Sequence, residues 1–329
     1  MRAVILSTPG GPAGLRAEER PDPRPAPGEV VVELRTAALN HRDVWTRENP
    51  STPRGSVLGS DGAGTVVEHG AGASGPPLGS EVVINPSVHW GDREDAPGPD
   101  WSILGVPRMG TYAERIAIPA DHVRPRPGRL TWQESAALPL AGLTAWRALV
   151  TRGGVGPGTR LLVTAAGAGV STFLVQIARE LGATVVVTSS SHVKIERAIE
   201  LGADRGVLYT DDDWPEQVGE VDVVIDSAGA PAWNGALRCL RRGGTLVSFG
   251  RTAGERVELD IPQVYFGQWN LLGTTMGSPR EFDALLEHLA RARWRPVIDS
   301  VFPLEEAAAA HERLLEPGRF GKVVLEIAP

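Results

Sequence analysis

Residues 160–188, RLLVTAAGAGVSTFLVQIARELGATVVVT, predict a strand, a tight turn, a helix and a second strand in succession. The apolar run 161–163 is typical of a strand buried on both faces. No side chain in the turn 165–171 is larger than valine, so the backbone can reverse sharply there. Apolar residues then recur at helical spacing as far as Gly182, and 185–187 supply the second strand.

The turn between the first strand and the helix is a candidate pyrophosphate site. The first amides of a helix lack intrahelical acceptors, and the helix dipole favours an anion beside them. The pattern Gly167-x-Gly169-x-x-Thr172 approximates the G-x-G-x-x-G of dinucleotide-binding βαβ units. Another nucleotide fold, or a tight turn without a ligand, is the alternative. The predicted cofactor contacts are Gly167, Ala168, Gly169, Val170 and Ser171.

The residues after the second strand favour one form of the cofactor. A cofactor with a free ribose 2′-hydroxyl usually meets an Asp or Glu at this position. Here the strand is followed by hydroxyls and a cation, with no carboxylate, in Ser189, Ser190 and Lys194. That set suits a 2′-phosphate, so the sequence predicts NADP(H) rather than NAD(H). The missing acid also argues against an S-adenosylmethionine enzyme.

Length and composition narrow the class of protein further. A chain of 329 residues suggests two domains, and its net charge of −7 makes nucleic acid an unexpected partner. No apolar run approaches the roughly 18 residues that span a bilayer, so we expect no membrane association and a cytoplasmic location. One cysteine, Cys239, excludes an internal disulfide and any cysteine-cluster metal site. Its place in a helix expected over 233–240 favours a buried structural thiol over a nucleophile.

The pattern of short strands and helices divides the chain. Residues 1–125 alternate short strands with Pro/Gly turns and predict a β-rich domain, which the tail 295–329 rejoins. Its segment 85–109 shows neither helical nor strand periodicity. Trp90 and Trp101 in this segment either line an apolar pocket or pack in the core. Residues 126–294 alternate helix and strand, with helices expected at 143–150 and 233–240 and a strand at 245–249, which predicts a doubly wound parallel sheet. The expected fold class is therefore α/β.

Five segments in order carry a resemblance to a known family. The chain resembles the medium-chain dehydrogenase/reductase superfamily along essentially its whole length, and within it the zinc-independent quinone oxidoreductase-like branch. The resemblance implies a GroES-like substrate domain, an NADP(H)-binding Rossmann domain and a homodimer that pairs through the strand 270–274. The segments are LNHRD at 39–43, GSDGAG at 59–64, LPLAGLTAW at 138–146, the stretch 160–188 followed by LGAD at 201–204, and GKVVL at 321–325.

The sequence also differs from the zinc enzymes of this family at the positions of their zinc ligands. By the resemblance, Asn40 stands where those enzymes have a zinc-binding Cys, their Gly-His-Glu becomes Gly59-Ser60-Asp61, and the third ligand position falls near Ala141. A catalytic zinc needs about three N, S or O protein ligands. We therefore expect no metal. Without a Lewis acid to stabilise an alkoxide, alcohol oxidation is not the expected reaction.

Zinc-independent relatives typically transfer hydride from NADPH to a quinone or an activated alkene. The resemblance therefore implies a small-molecule carbonyl or quinone substrate, with Asn40 and Asp43 as the catalytic polar residues. Asp43 alternatively caps or pins the loop 39–45. Two other functions stay open: an enoyl-thioester reductase on the same scaffold, and a low-turnover NADP(H)-binding redox sensor, because no general acid is identifiable in the sequence.

The resemblance also assigns further cofactor contacts by position. Lys322 is expected to approach the cofactor from the other domain, unless it is a solvated charge at a strand end. Ser227 and Gly250 follow strands at the carboxyl edge of the sheet, where such folds bind ligands. The full set carried over in this way is Thr144, Tyr209, Ser227, Gly250, Thr275 and Lys322.

Overall fold

A computed structural model describes residues 1–230 and 232–328, so Pro329, at the end of the predicted tail, lies outside the described residues. The chain divides into two compact units: Met1–Leu143 with Gly277–Pro329, and Thr144–Met276. We call these the first and the second unit. In the part of the chain that is described, no helix is both long and apolar enough to cross a membrane.

The secondary structure is numbered in chain order. The strands are β1 Arg2–Leu6, β2 Leu15–Glu19, β3 Glu29–Ala38, β4 Ser56–Val57, β5 Asp61–His69, β6 Glu81–Ile84, β7 Ser87–Val88, β8 Ser102–Ile103, β9 Arg115–Pro119, β10 Val123–Pro125, β11 Arg160–Val163, β12 Thr184–Ser189, β13 Arg205–Leu208, β14 Val221–Asp226, β15 Leu240–Ser248, β16 Asn270–Gly273, β17 Ile298–Pro303 and β18 Lys322–Glu326. The α-helices are α1 His41–Glu48, α2 Trp132–Ala137, α3 Pro139–Trp146, α4 Gly169–Glu180, α5 His192–Glu200, α6 Trp214–Val218, α7 Trp233–Arg238, α8 Ile261–Gly267, α9 Pro279–Arg291 and α10 Ala307–Leu315.

The first unit is built on a sheet whose path runs β10-β6-β5-β3-β18-β17, with β9 also paired to β3. A second sheet runs β2-β1-β4. Strand β18 lies antiparallel to β3, with Val324 opposite Ala38, so the tail of the chain is part of this unit. Apolar side chains of β1, β3, β5 and β9, among them Leu6, Leu34 and Ile116, form its core with residues of α10.

The unit boundaries differ from those placed at 125/126 and 294/295 from sequence, because α9 belongs to the first unit. Arg124 forms an ion pair with Asp283 of α9, and the Arg129 guanidinium donates to the Leu289 carbonyl at 3.1 Å. The helix itself is defined locally by a capping box. Ser278 Oγ accepts from the Glu281 amide at 3.2 Å, and the Glu281 carboxylate accepts from the Ser278 amide at 2.7 Å.

The segment 85–109, which has no clear period in the sequence, forms an ordered lobe. Its short strands β7 and β8 pair antiparallel. The rings of Trp90 and Trp101 meet edge to face with their centroids 5.9 Å apart. Trp90 is buried, so of the two alternatives stated for this tryptophan the structure supports core packing.

The second unit holds a parallel sheet in the order β13-β12-β11-β14-β15-β16, and the predicted α/β fold class is confirmed. Leu162 and Val186 face one side of the sheet and pack with Trp214 of α6 and Leu237 of α7. Val187, whose side chain points the other way, lies beside Ile195 of α5. Helices therefore cover both faces, and β16 lies at an edge, as predicted.

Two predicted elements of this unit differ from the structure. The helix expected over 143–150 is divided into α3 and a π-helix at Arg147–Arg152, where the Gly153 amide donates to the Ala148 carbonyl. The helix expected over 233–240 ends at Arg238, and β15 begins at Leu240 instead of 245. The added residues of β15 enter the sheet through a register shift opposite β14, which the apolar pattern does not reveal.

Candidate functional site

A buried ion pair joins two strands of the first unit. Lys322 Nζ donates to the Leu39 carbonyl at 2.7 Å, to Asn40 Oδ1 at 2.6 Å and to Asp61 Oδ2 at 3.0 Å. Sheet register produces this cluster, because Ala38 lies opposite both Asp61 of β5 and Val324 of β18. Both charged side chains are almost completely enclosed, at 3% and 0% exposed.

This placement corrects the sequence interpretation of Lys322. The side chain is buried, so it is not a solvated charge at a strand end. An ammonium group has three N–H donors, and all three point at acceptors within the first unit. No donor is left for a cofactor phosphate, and the charge of Lys322 is balanced by Asp61.

Asn40 is held in one orientation by the same ion pair. Its Nδ2 donates to Asp61 Oδ2 at 2.9 Å while its Oδ1 accepts from Lys322. The second oxygen of Asp61 accepts from the Leu140 amide at 2.7 Å, which fixes the carboxylate in turn. The second hydrogen on Asn40 Nδ2 has no acceptor in residues 1–230 or 232–328. A polarised, oriented amide donor is therefore present where the sequence predicted a catalytic residue.

Asp43 holds the loop 39–45 in place through hydrogen bonds, which is the structural alternative to a catalytic role. Its Oδ2 accepts from the Asn40 amide at 2.8 Å and from the Tyr112 hydroxyl at 3.0 Å. The residue is buried, its Oδ1 has no partner among the described residues, and burial raises its pKa to about 6. An enclosed carboxyl does not touch a substrate, so we assign Asp43 to positioning Asn40 at the start of α1.

Arg42 is a polar residue that the sequence interpretation passed over, although it lies inside the quoted segment 39–43. Its Nη1 donates to Ser60 Oγ at 2.9 Å and to the Leu104 carbonyl at 2.6 Å. Ser60 is fully buried and donates its own hydroxyl to the Leu104 carbonyl at 2.7 Å. Its position in the sequence between Asn40 and Asp43, both predicted site residues, could have identified this cationic side chain.

The donor set of the first unit does not fit zinc. By the resemblance, the zinc-ligand positions fall at Asn40, at Ser60 and near Ala141, which carry an amide, a hydroxyl and a methyl group. The amide is bonded to Asp61 and Lys322, and the hydroxyl is bonded to the cationic Arg42. Across the residues that the structure describes, no three His, Cys, Asp or Glu side chains lie close enough together to hold a metal ion.

Cys239 does not add a ligand. It follows α7 and is buried, and burial raises the pKa of its thiol to about 12. The prediction of a structural thiol agrees with this environment, because a thiol that stays protonated is neither a nucleophile nor a metal ligand.

In the second unit, the turn between β11 and α4 has the geometry of an anion site. Ala165 and Gly167 both adopt positive φ, of 57° and 92°. The residue that caps α4 is Ala168, which has no side-chain acceptor, so no side chain caps the first amides of this helix. Those amides and the helix dipole fit a pyrophosphate.

Ser171, predicted as a cofactor contact, turns its hydroxyl inward instead. Its Oγ donates to the Ala165 carbonyl at 3.0 Å or the Ala168 carbonyl at 2.9 Å, and the side chain is buried. The hydroxyl therefore stabilises the turn that presents the amides. Ser171 could therefore contact a cofactor only through its backbone.

The predicted 2′-phosphate residues come together at the end of β12. Ser189 Oγ accepts from the Ser191 amide at 3.2 Å, and the Ser189 carbonyl accepts from the Tyr209 amide at 3.0 Å. Lys194 lies one turn into α5, whose N-cap Ser191 accepts from the Lys194 amide at 3.4 Å. Ser190 is exposed between them. An acidic run at 211–213 follows Tyr209 closely in the chain.

The ends of β11 and β14 are tied together by a carboxylate that the sequence did not single out for this role. Asp226 is buried and accepts from Thr164 Oγ1 at 2.8 Å and from the Gly229 amide at 2.9 Å. Burial raises its pKa. Gly250 approaches the neighbouring turn so closely that a Cβ there would lie 2.2 Å from the Ser227 carbonyl oxygen. Gly250 is therefore required by packing.

The predicted contacts divide between the two units. Thr144 is buried in α3, and Thr275 is exposed after β16. In the second unit, Ser190, Ser227, Gly250 and Thr275 follow the carboxyl ends of β12, β14, β15 and β16. The first unit holds Asn40, Asp43 and Lys322 in one hydrogen-bonded cluster.

Comparison with known proteins extends this description. A family model described as the alcohol dehydrogenase GroES-like domain matches residues 26–128, and one described as zinc-binding dehydrogenase matches residues 169–291. The "Zinc-type alcohol dehydrogenase-like protein YogA" of Leptosphaeria maculans is 37% identical over 332 residues, covering 93% of this chain and 92% of that protein.

Two further proteins are similar. Quinone oxidoreductase 1 of Escherichia coli is 31% identical over 255 residues, which cover 74% of this chain and 71% of that one. The crystal structure of an NAD-dependent alcohol dehydrogenase matches with a TM-score of 0.95 at 40% identity, covering 100% of both chains. The likeness therefore extends over both units.

Proposed function

The chain belongs to the medium-chain dehydrogenase/reductase superfamily of oxidoreductases, and from that premise we propose that it reduces a quinone or an α,β-unsaturated carbonyl with NADPH, without zinc. The observation that carries the proposal is the bonding of the residues at the zinc-ligand positions. Asn40 and Ser60 already bond to Lys322 and Arg42, which are both cations. A divalent metal at this place would find the Asn40 and Ser60 oxygens already accepting hydrogen bonds from these side chains, and too few further ligands.

The names of two similar proteins point elsewhere, to alcohols as substrates and to NAD. Oxidation of an alcohol needs a group that stabilises an alkoxide, for which zinc is the usual device in these enzymes. The chain offers hydrogen-bond donors in its place, among them the Asn40 amide. Such donors suit a carbonyl oxygen on which negative charge builds during reduction. The quinone oxidoreductase of Escherichia coli is a relative whose name agrees with this chemistry.

A nicotinamide dinucleotide supplies the hydride when it is bound. The uncapped start of α4 would bind the pyrophosphate through backbone amides. Ser189, Ser190 and Lys194 would bind a 2′-phosphate, with Tyr209 beside them. The acidic run 211–213 follows Tyr209 in the chain and would repel a phosphate, so the assays compare NADPH with NADH.

Steady-state assays test the proposal directly. Purified protein is given NADPH or NADH with quinones, enones, enoyl thioesters and saturated aldehydes, and NADP⁺ or NAD⁺ with primary and secondary alcohols. We expect reduction of quinones or enones with NADPH, little reaction with alcohols, and no loss of activity on treatment with a chelator. Elemental analysis should find no stoichiometric zinc.

The same assays separate the remaining possibilities. Preference for enoyl thioesters over free enones would place the enzyme among thioester reductases on this scaffold. Tight NADPH binding without oxidation by any acceptor would favour a redox sensor. One bound zinc per chain together with chelator-sensitive alcohol oxidation would contradict the proposal.

A further inference from the structure

The Arg42 guanidinium is fixed at one end and open at the other. Nη1 is held by Ser60 Oγ and the Leu104 carbonyl. Nε and Nη2 have no acceptor in residues 1–230 or 232–328, and neither atom is enclosed. The side chain is 20% exposed. Because a guanidinium is planar, Nε–H and Nη2–H form one edge with two parallel donors, and that edge is accessible.

The surroundings hold this edge in place. A Cβ at Gly105 would lie 3.0 Å from Arg42 Nη1, so the backbone at 105 closes on the fixed end. The carbonyl of Leu104 and the hydroxyl of Ser60 also bond to each other at 2.7 Å, which makes the anchor a closed set of three groups. A long side chain anchored in this way loses little further freedom when its open edge binds a ligand.

The charges nearby leave Arg42 able to attract an anion. The buried pair Lys322 and Asp61 is neutral as a unit. The nearest carboxylate oxygen to Arg42 is Asp43 Oδ1, 3.9 Å from the anchored Nη1, beyond hydrogen-bond distance. In the described part of the chain the hydrogen bonds of Arg42 are made by Nη1 alone, so the Nε and Nη2 donors are available to an incoming oxygen.

Arg42 also stands two residues from Asn40, whose amide has an unused N–H. Both belong to the start of α1, Asn40 as its N-cap and Arg42 in its first turn. An acceptor oxygen in hydride transfer needs one or two donors as its charge develops. These two residues supply donors of that kind from one rigid segment.

We propose that Arg42 is a catalytic residue of the proposed reaction, whose open guanidinium edge binds the carbonyl oxygen of the acceptor. The C4–H bond of the dihydronicotinamide breaks as hydride adds to the β-carbon of the enone and forms a C–H bond. The alkene π pair becomes the second bond between the α-carbon and the carbonyl carbon, and the carbonyl π pair moves onto oxygen. The nicotinamide is oxidised and the acceptor reduced by two electrons. Arg42 stabilises the resulting enolate until a proton from water completes the product. This inference rests on the proposed function.

Kinetics of variants test the role in turnover. Loss of one charge-assisted hydrogen bond of about 1.5–3 kcal/mol corresponds to a roughly 10- to 150-fold decrease in kcat/KM. We expect Arg42→Gln to lower kcat/KM for the best quinone or enone by that factor while the Kd for NADPH, from fluorescence titration, stays unchanged. Arg42→Lys should keep part of the activity. Arg16→Gln, at an exposed position of β2, is the matched control and should behave as wild type.

Chemical rescue distinguishes a catalytic from a structural role. Guanidinium added at low concentration should restore activity to Arg42→Ala without affecting Arg16→Ala, because only a missing donor can be replaced from solution. Absence of rescue together with wild-type kcat/KM in Arg42→Lys would overturn the assignment, since a positive charge alone would then suffice. Circular dichroism of each variant identifies any loss of folding, and Arg42→Lys keeps the test valid if the smaller residues fail to fold.

A binding measurement separates this inference from the proposed function. The stable oxyanion 4-nitrophenolate, titrated in mildly alkaline buffer and followed by its absorbance, should bind wild type at least roughly tenfold more tightly than Arg42→Gln. Neutral 4-nitroanisole should show no such difference. Equal phenolate binding by both proteins, or none by wild type, overturns the role of Arg42. Arg42-dependent phenolate binding in a protein that reduces no carbonyl acceptor leaves the oxyanion site standing and refutes the proposed function.

Discussion

At the scale of single residues, burial sets the chemistry of the charged groups in the first unit. Lys322 and Asp61 lie in the same enclosed cluster as Asn40 and share its hydrogen bonds. Asp43 is equally buried, but it has no cation within hydrogen-bond distance, and its pKa is raised. One carboxylate is thus stabilised by an ammonium group and the other is made a weaker acid by its surroundings.

The raised pKa of Asp43 predicts a pH dependence of stability. In the folded protein the group titrates at about 6 instead of 3.8, so between these values the folded state keeps a proton that the unfolded state has lost. The stabilisation is therefore complete below the unfolded pKa and is lost as pH rises through the folded pKa. Each pKa unit corresponds to about 1.4 kcal/mol, which gives a loss of up to about 3 kcal/mol.

Urea unfolding of wild type and Asp43→Asn between about pH 4 and pH 7 isolates this contribution. The difference in free energy of unfolding between the two proteins should change across the window in favour of the variant as pH rises. A difference that stays constant with pH would mean that Asp43 titrates normally in the folded state.

Lys194 carries the prediction about cofactor choice. If its ammonium binds a 2′-phosphate, Lys194→Glu removes a charge-assisted bond of about 1.5–3 kcal/mol and weakens NADPH binding by roughly 10- to 150-fold, with little effect on NADH. Isothermal titration with both cofactors measures the ratio. Arg291→Glu, an exposed charge reversal on α9, is the control for the change in net charge. Equal losses for NADPH and NADH would contradict the assignment.

At the scale of elements, strand register and turn geometry place the groups that local sequence cannot position. Asp61 and Lys322 are far apart in the chain, and they meet because β5 and β18 both pair with the end of β3. The turn before α4 combines a positive φ at Ala165 with one at Gly167, the second of which suits glycine. Pairing between strands thus brings together residues from distant parts of the chain, and the turn before α4 positions the first amides of that helix.

Breaking the buried ion pair from one side should be costly. Asp61→Asn leaves the Lys322 ammonium buried beside a neutral amide, so we expect a loss of about 3–5 kcal/mol in the free energy of unfolding. Asp61→Asn combined with Lys322→Met should cost less than the sum of the two single substitutions, because the stranded charge is gone. Chemical denaturation of the four proteins gives the coupling energy, and a coupling energy near zero would show that the two groups do not interact.

The turn before α4 should respond in opposite ways to two small substitutions. Ala165→Gly removes about 1–2 kcal/mol of left-handed backbone strain and costs about 0.4–1 kcal/mol through the unfolded chain, so modest stabilisation is expected. Gly167→Ala places a side chain at a φ of 92° and should lower both stability and NADPH affinity. Thermal unfolding with and without NADPH measures both effects. Destabilisation by Ala165→Gly would mean that the turn is not strained.

At the scale of the whole molecule, β16 lies at one edge of the sheet of the second unit. The edge strand β16 is preceded by α8, on which Ile261, Tyr265 and Phe266 are 62%, 51% and 67% exposed. Exposed apolar side chains beside an unpaired strand edge are typical of surfaces that pair with another chain. We therefore propose a homodimer through this edge, with a two-fold axis relating the copies.

Sedimentation velocity tests the dimer. Wild type should sediment as a dimer, and Ile261→Asp combined with Phe266→Asp should give a folded monomer. Val193→Asp is a matched control, because Val193 is 63% exposed on α5 beside the opposite end of the sheet. A wild-type monomer, or a double variant that remains dimeric, would exclude this surface as the interface.

Features that depend on neighbouring residues in the chain could be predicted from sequence, and features that depend on contacts between distant residues could not. The apolar runs and helical spacing over 160–188 and the later segments predicted the parallel sheet, because these patterns are local properties of the sequence. The edge position of β16 was expected from the family resemblance. The segment 85–109 and the start of β15 were not predictable, since pairing across a register shift and packing of Trp90 on Trp101 depend on distant residues. Arg42 was missed because its partners, Ser60 and Leu104, are remote in the chain.

The sequence by itself determined the fold class, the glycine-containing turn before α4, the loss of zinc-ligand residue types at Asn40 and Ser60, and the hydroxyls after β12. Only the tertiary structure decided what those residue types do. It enclosed Lys322 with Asp61, turned Ser171 inward, made Asp43 a support for Asn40 and left one edge of Arg42 open. The physical reason is that residue type sets which groups can donate, accept or carry charge, whereas burial and strand register set which of those groups already have partners.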